Sequence, residues 1–259
     1  MGDNPVMSST KTNDWTWLER PERFVSTAGP ALARLAIEKR AEFSSAVPFP
    51  HVVIDGLFDE HVLEQVIEVF PDPDSEVWTQ WASEHEDKYA ASNGDDALPP
   101  PIQHFLRYLN SAEFVRFCEL VSGVRGLIPD PHFHGAGVTQ VLAGGHLNLH
   151  EDFNQHRFFG LKRTLSVLIY LNNDWKEEYG GDLELWDAGL QECGKSIAPL
   201  FNRTVLFLNV EKAYHGHPKP LRCPPEIRRK SMATIYYTNP QAARQQRDYH
   251  PPLFQSPKG

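Results

Sequence analysis

Cysteine is scarce. Three thiols, Cys118, Cys193 and Cys223, are scattered over 259 residues, and no two form a CxxC pair. Sparse, odd-numbered cysteines speak against a disulfide framework and against a thiolate zinc site. Also lacking is any apolar run near the roughly 20 residues that span a bilayer. The first twenty residues hold no apolar signal core and carry Asp3, Asp14 and Glu19. A cytoplasmic protein with no membrane partner is therefore expected. Positive charge is in short supply too: 25 Lys and Arg stand against 34 Asp and Glu, a formal net charge of -9. That balance speaks against a nucleic-acid partner. Neither an internal repeat nor a Ser-His-Asp or paired-carboxylate signature is found.

What is present is a soluble-protein composition, 41% hydrophobic and 23% charged, in a chain long enough to bury a large core. The charge is uneven. Thirteen acids face one base, Lys88, between Asp55 and Asp96, whereas nine Arg and Lys face three acids between Arg203 and His250. Residues 1–24 read as a polar arm. Residues 25–134 read as a helical, substrate-shaping support, with helices over 29–45, 59–69, from 99 and from 111 to about 124. The acidic segment 74–98, with Trp78, Trp81 and Tyr89, reads as surface structure or a lid.

From residue 135 to 240 the pattern changes to short β-forming runs separated by Gly144-Gly145 and Gly180-Gly181. The expected fold class is mostly β with supporting helices, around a double-stranded β-helix (jelly roll, cupin-like) core. Residues 241–259 read as a tail.

The run Gly144-Gly145-His146-Leu147-Asn148-Leu149-His150-Glu151-Asp152 carries the chemistry. Residues i and i+2 of a strand share a face, so His150 and Asp152 can hold one metal together. A mononuclear non-haem iron takes two histidines and a carboxylate on one side and leaves the other side open. The third ligand is sought in Tyr214-His215-Gly216-His217-Pro218. His215 is preferred over His217, because it follows the strand at 205–210 and Pro218 constrains the backbone at His217. Further on, Arg229 and Ser231 share one strand face, where a guanidinium and a hydroxyl can bind a carboxylate. Arg228 then faces away.

In order, His150-Glu151-Asp152, Tyr170-Leu171-Asn172-Asn173-Asp174-Trp175, Gly180-Gly181, His215 and Arg229-Lys230-Ser231 resemble the Fe(II)/2-oxoglutarate-dependent dioxygenases. Among these, the prolyl-4-hydroxylase-like branch is the most similar, and the resemblance covers about residues 135–240. It implies an enzyme with His150, Asp152 and His215 as catalytic iron ligands. Fe(II), 2-oxoglutarate and O2 would be its cofactor and cosubstrates, with ascorbate as a supporting reductant. Arg229 would grip the distal carboxylate of 2-oxoglutarate, helped by Tyr170 and Ser231. One position departs from the pattern. Where relatives place a tyrosine about ten residues before the first histidine, this chain has Gln140, so Gln140 or Asn148 is expected to make that contact. Asp152 is retained, whereas related halogenating enzymes have glycine or alanine there, which favours hydroxylation.

The implied reaction is hydroxylation of an unactivated C–H bond, giving succinate and CO2. A small polar metabolite or natural-product intermediate is the preferred substrate, with a small-molecule partner more expected than a protein. A protein prolyl or other side-chain hydroxylase is the alternative, and a non-redox, metal-binding cupin-like protein the reading from another class. His132, His134, Asn154, His156 and Arg163 lie near the metal-bearing strands. Arg163, seven residues before Tyr170, would face the opposite side of an ideal strand and needs a bulge to join the site. The sequence leaves the oligomeric state open.

Overall fold

The structure, a computed structural model, describes residues 23–91 and 96–241. Apart from residues 23, 24 and 241, the expected arm and tail lie outside the described residues. Four helices lie where apolar spacing places them: α1 (Pro30–Ser45), α2 (Glu60–Glu68), α3 (Pro100–Leu109) and α4 (Ala112–Ser122). Their ends have local causes. Asp59 caps α2 by accepting from the His61 amide at 3.0 Å, and Ser111 caps α4 by accepting from the Phe114 amide at 3.3 Å. Gly123, at φ 74°, closes α4 in the left-handed conformation that costs glycine least.

The strands are β1 (His51–Asp55), β2 (Thr79–Ala82), β3 (Asp87–Ala91), β4 (Ile128–Pro129), β5 (Gly137–Val141) and β6 (Leu147–His150), followed by β7 (Lys162–Tyr170), β8 (Leu183–Trp186), β9 (Cys193–Ile197), β10 (Arg203–Leu208), β11 (His215–His217) and β12 (Arg229–Thr238). They build two antiparallel sheets. The larger runs β1-β10-β7-β12-β5-β3-β2, with β4 paired to β12. The smaller runs β6-β11-β8-β9.

The mostly-β, helix-supported part of the expected fold class holds, but the jelly-roll core is corrected. Neither sheet closes on itself, so no barrel forms among the described residues. β5 and β6 are joined through Gly144-Gly145, a hairpin-like signal, yet they enter different sheets. Turn residues and alternation mark strands and their faces, but partners are chosen by distant hydrogen bonds. The acidic segment holds a hairpin, β2–β3, that extends the large sheet beside β5. It also reaches across the gap between sheets. Asp87 N donates to His146 O and Asn148 N to His85 O, both at 2.8 Å.

Alternation along β7 sorts the core. Leu165, Val167 and Ile169 face the helices and join Phe105, Phe114 and Phe117 in the larger apolar cluster. Tyr170 turns to the other side, where Leu183, Leu185, Val205 and Phe207 fill part of the space between the sheets. The rest of that space is polar, and the site lies there.

Candidate active site

β6 and β11 are neighbours in the small sheet, and His150 is directly opposite His215. Gly216 permits the approach, because a Cβ there would come within 2.7 Å of the Leu147 and Asn148 carbonyl oxygens. The two imidazole centroids are 4.5 Å apart. Asp152 lies just beyond the end of β6, with one oxygen 3.7 Å from His150 Nε2 and the other 3.6 Å from His215 Nε2. One ligand atom from each of the three side chains lies within 4.8 Å of the others. Both histidines bond a backbone carbonyl through Nδ1, His150 to Asn148 O and His215 to Ala213 O, each at 2.9 Å. With Nδ1–H as donor, the Nε2 lone pairs are left to face Asp152, the tautomer that a metal requires.

Electrostatics agree with that arrangement. Burial, partly offset by Asp152, pushes His215 down to about 4, so its ring is neutral at physiological pH. For Asp152 burial acts upward, but Arg163, His215, His150 and the Asn209 amide together hold the carboxyl below its usual range. Two imidazoles and one carboxylate suit Fe(II), and the residues present therefore fit the ion.

Arg163 was the residue in need of a bulge, and the bulge exists. Between Leu165, opposite Tyr236, and Arg163, opposite Tyr237, the β7–β12 register slips, leaving Thr164 as the extra residue. Arg163 thereby turns to the side of Ser166, to which its Nη2 donates at 3.0 Å. The same Nη2 is 2.6 Å from Asp152 Oδ2, and Asn209 Nδ2 donates to that oxygen at 2.9 Å. Oδ1 has neither partner, so the clamp orients the carboxylate. Nothing local to Asn209 signals this role, because it depends on the loop after β10 meeting the end of β6.

His150, Asp152 and His215 also line a cavity of about 140 Å³ that extends to Tyr170, Arg229, Ser231, Thr139 and His217. Arg229 is anchored by donation from Nε to Gly181 O at 2.7 Å and from Nη2 to the Tyr170 hydroxyl at 3.3 Å. Gly181, at φ 74°, lets the chain pass close under it, since a Cβ would sit 3.1 Å from Arg229 Cδ. No described acid pairs with Arg229. Ser231 is opposite both Tyr170 and Thr139, and its hydroxyl is 2.7 Å from that of Thr139.

Gln140 and Asn148 are not brought to this cavity. Gln140 points to the other face of β5, where its Oε1 accepts from Arg228 Nη1 at 2.9 Å. Thr139 occupies the inward position instead. Asn148 donates to Glu84 O at 3.2 Å and lines the outer cleft. That cleft, about 520 Å³, opens over His150 and Asp152 between the β2–β3 hairpin and residues 147–153. Trp81 and Phe153 on its walls are 50% and 41% exposed.

Residues 136–238 match the family model described as the 2OG-Fe(II) oxygenase superfamily. The chain carries an oxygenase domain of that superfamily over those residues. It is an Fe(II)- and 2-oxoglutarate-dependent dioxygenase, which sets aside the non-redox binding protein. The described residues contain no helix long and apolar enough to cross a membrane. A search of curated proteins gave no match. Several solved prolyl hydroxylases share the chain's fold. A prolyl hydroxylase from Trichoplax adhaerens, in complex with a hypoxia inducible factor oxygen degradation domain peptide fragment, aligns with TM-score 0.58 and 19% identity, over 87% of this chain and 94% of its own. A Pseudomonas putida prolyl-4-hydroxylase aligns with TM-score 0.55 and 14% identity, over 80% and 99%. Prolyl 4-hydroxylase from Phytophthora capsici aligns with TM-score 0.54 and 20% identity, over 83% and 68%.

These similarities correct the expected preference for a small-molecule partner. The Trichoplax enzyme carries a polypeptide, and the present oxygenase has a cleft walled by exposed aromatic residues rather than an enclosed pocket.

Proposed function

We propose that this oxygenase hydroxylates a side chain of a polypeptide, with proline the first choice. The observation that carries the reading is the cleft. It leads from exposed Trp81 and Phe153 directly to His150 and Asp152. The fold shared with three prolyl hydroxylases supports the same choice.

In this reading His150, Asp152 and His215 hold Fe(II), and Arg229, Tyr170 and Ser231 receive the distal carboxylate of 2-oxoglutarate. Bound Fe(II) would activate O2, the oxidant for both partners: one oxygen atom would go to the C–H bond and the other to 2-oxoglutarate, which leaves as succinate and CO2. The protein's own work is placement. Arg163 and Asn209 fix Asp152, the backbone carbonyls at Asn148 and Ala213 fix the histidine tautomers, and the cleft walls bring the C–H bond to the open side.

The test is succinate release measured against a library of proline-containing peptides, with mass spectrometry locating one added oxygen. Peptide-dependent succinate and a hydroxylated prolyl residue are the expected result. Hydroxylation of other side chains only would move the reading to another residue type. Succinate release indifferent to every peptide would overturn it.

A further inference from the structure

His217 is a second histidine on β11 that the metal group does not use. It is 4% exposed, and its Nδ1 is buried with no hydrogen-bond partner. The contrast with His150 and His215 is direct, because both of those Nδ1 atoms are tied to carbonyl oxygens. Its ring lines the same small cavity as Arg229, Tyr170, Ser231 and Thr139. A buried polar atom is nearly always paired, and this one belongs to a cavity-lining ring and has no partner within the protein.

The surrounding charge says what kind of occupant. Arg229, Lys88, His146 and His150, all bases, bear most on the His217 ring, and Asp152, at the metal end of the same cavity, is already paired with Arg163. Lys88 is paired with Glu86 at 2.8 Å, whereas Arg229 has no described acidic partner. An imidazole N–H beside an uncompensated guanidinium is a receptor for a carboxylate.

We propose that His217, through Nδ1–H, donates a hydrogen bond to the distal carboxylate of 2-oxoglutarate seated on Arg229. His217 is then a cosubstrate-binding residue that shares β11 with an iron ligand without being one. The inference rests on the functional reading above and deepens it.

The test is anaerobic titration of 2-oxoglutarate into the Fe(II)-loaded protein, followed through the visible charge-transfer band. His217→Val should weaken 2-oxoglutarate binding by roughly tenfold, the loss of one hydrogen bond to a charged group, and leave Fe(II) affinity unchanged. His217→Gln keeps a donor and should recover most of that loss. Unchanged 2-oxoglutarate affinity in His217→Val would overturn the inference, and so would loss of Fe(II) binding, which would make His217 a ligand. Failure of the parent protein to bind 2-oxoglutarate at all would overturn the functional reading along with it. Should the variants not fold, the parent protein decides the matter. In Zn(II)-loaded protein with ¹⁵N-labelled histidine, 2-oxoglutarate should shift the His217 Nδ1 resonance and slow exchange of its proton, and an unmoved resonance would overturn the inference.

Discussion

Two arginines are buried on the inner side of the large sheet, and their electrostatic situations are opposite. Arg163 sits against Asp152 at 2.6 Å and also donates to Ser166. Its charge is answered inside the protein. Arg229 is held by neutral groups, the Gly181 carbonyl and the Tyr170 hydroxyl, and faces a cavity that also contains His217. Its charge is answered by nothing in the described chain. A compensated cation positions a ligand, whereas an uncompensated one waits for its own. In the proposed function, the same residue type thus marks the metal end and the cosubstrate end of one site.

Asp152→Ala attacks the compensated end and should have the largest effect. It abolishes hydroxylation and leaves Arg163 buried without its partner, a loss of roughly 3–5 kcal/mol in stability. Urea unfolding of the metal-free protein measures that loss, and an unaltered midpoint would show that Arg163 does not depend on Asp152. Arg229→Ala attacks the other end. 2-Oxoglutarate affinity should fall about 100-fold while Fe(II) affinity and the unfolding midpoint stay near the parent values. Equal stability losses in both variants would erase the distinction between the arginines. Arg163→Gln keeps a donor but not the charge, and Fe(II) affinity should fall by roughly 10-fold to 100-fold, as read by competition with a chelator.

Acidification probes the same contrast in the metal-free protein. His215 is held down to about 4, against about 6.5 for an unfolded histidine. Between those values the unfolded chain binds the proton and the folded chain does not, so stability falls as pH drops through that window. The size is on the order of 3 kcal/mol, and His215→Gln should flatten the dependence of the urea midpoint on pH. Ser111→Ala, far from both arginines, should cost about 1 kcal/mol through loss of the α4 cap and leave cosubstrate binding untouched. A change in the charge-transfer titration of that variant would mean that the helices and the site are coupled more tightly than their packing indicates.

Much of the site is legible along the chain. His150 and Asp152 are close in sequence, and His215, Tyr170 and Arg229 follow in strands whose residue types are plain. The misplacements have physical causes. Gln140 was expected at the cosubstrate because counting back ten residues ignores which face of β5 each residue takes, and Thr139 has the inward face. Arg163 falls on the opposite face of an ideal pleat, and only the extra Thr164 brings it to the site. The acidic segment is exposed along β2, in keeping with surface structure, but its pairing is not legible. Its short β2, exposed throughout, has too little apolar alternation to announce that it pairs with β3 at the edge of the large sheet. The expected jelly roll rested on the number and spacing of strands, which do not reveal where a sheet stops.

By itself the sequence determined the order of His150, Asp152 and His215 and their side-chain types, the helix caps and the alternation that separates apolar from polar faces. All of these depend on residues within a turn or a strand of one another. Only the tertiary structure decided that the sheets stay open, that Arg163 and Asn209 clamp one oxygen of Asp152, and that His217 meets Arg229 in one cavity. Those outcomes depend on register, bulges and hydrogen bonds between segments far apart in the chain, for which local periodicity carries no signal.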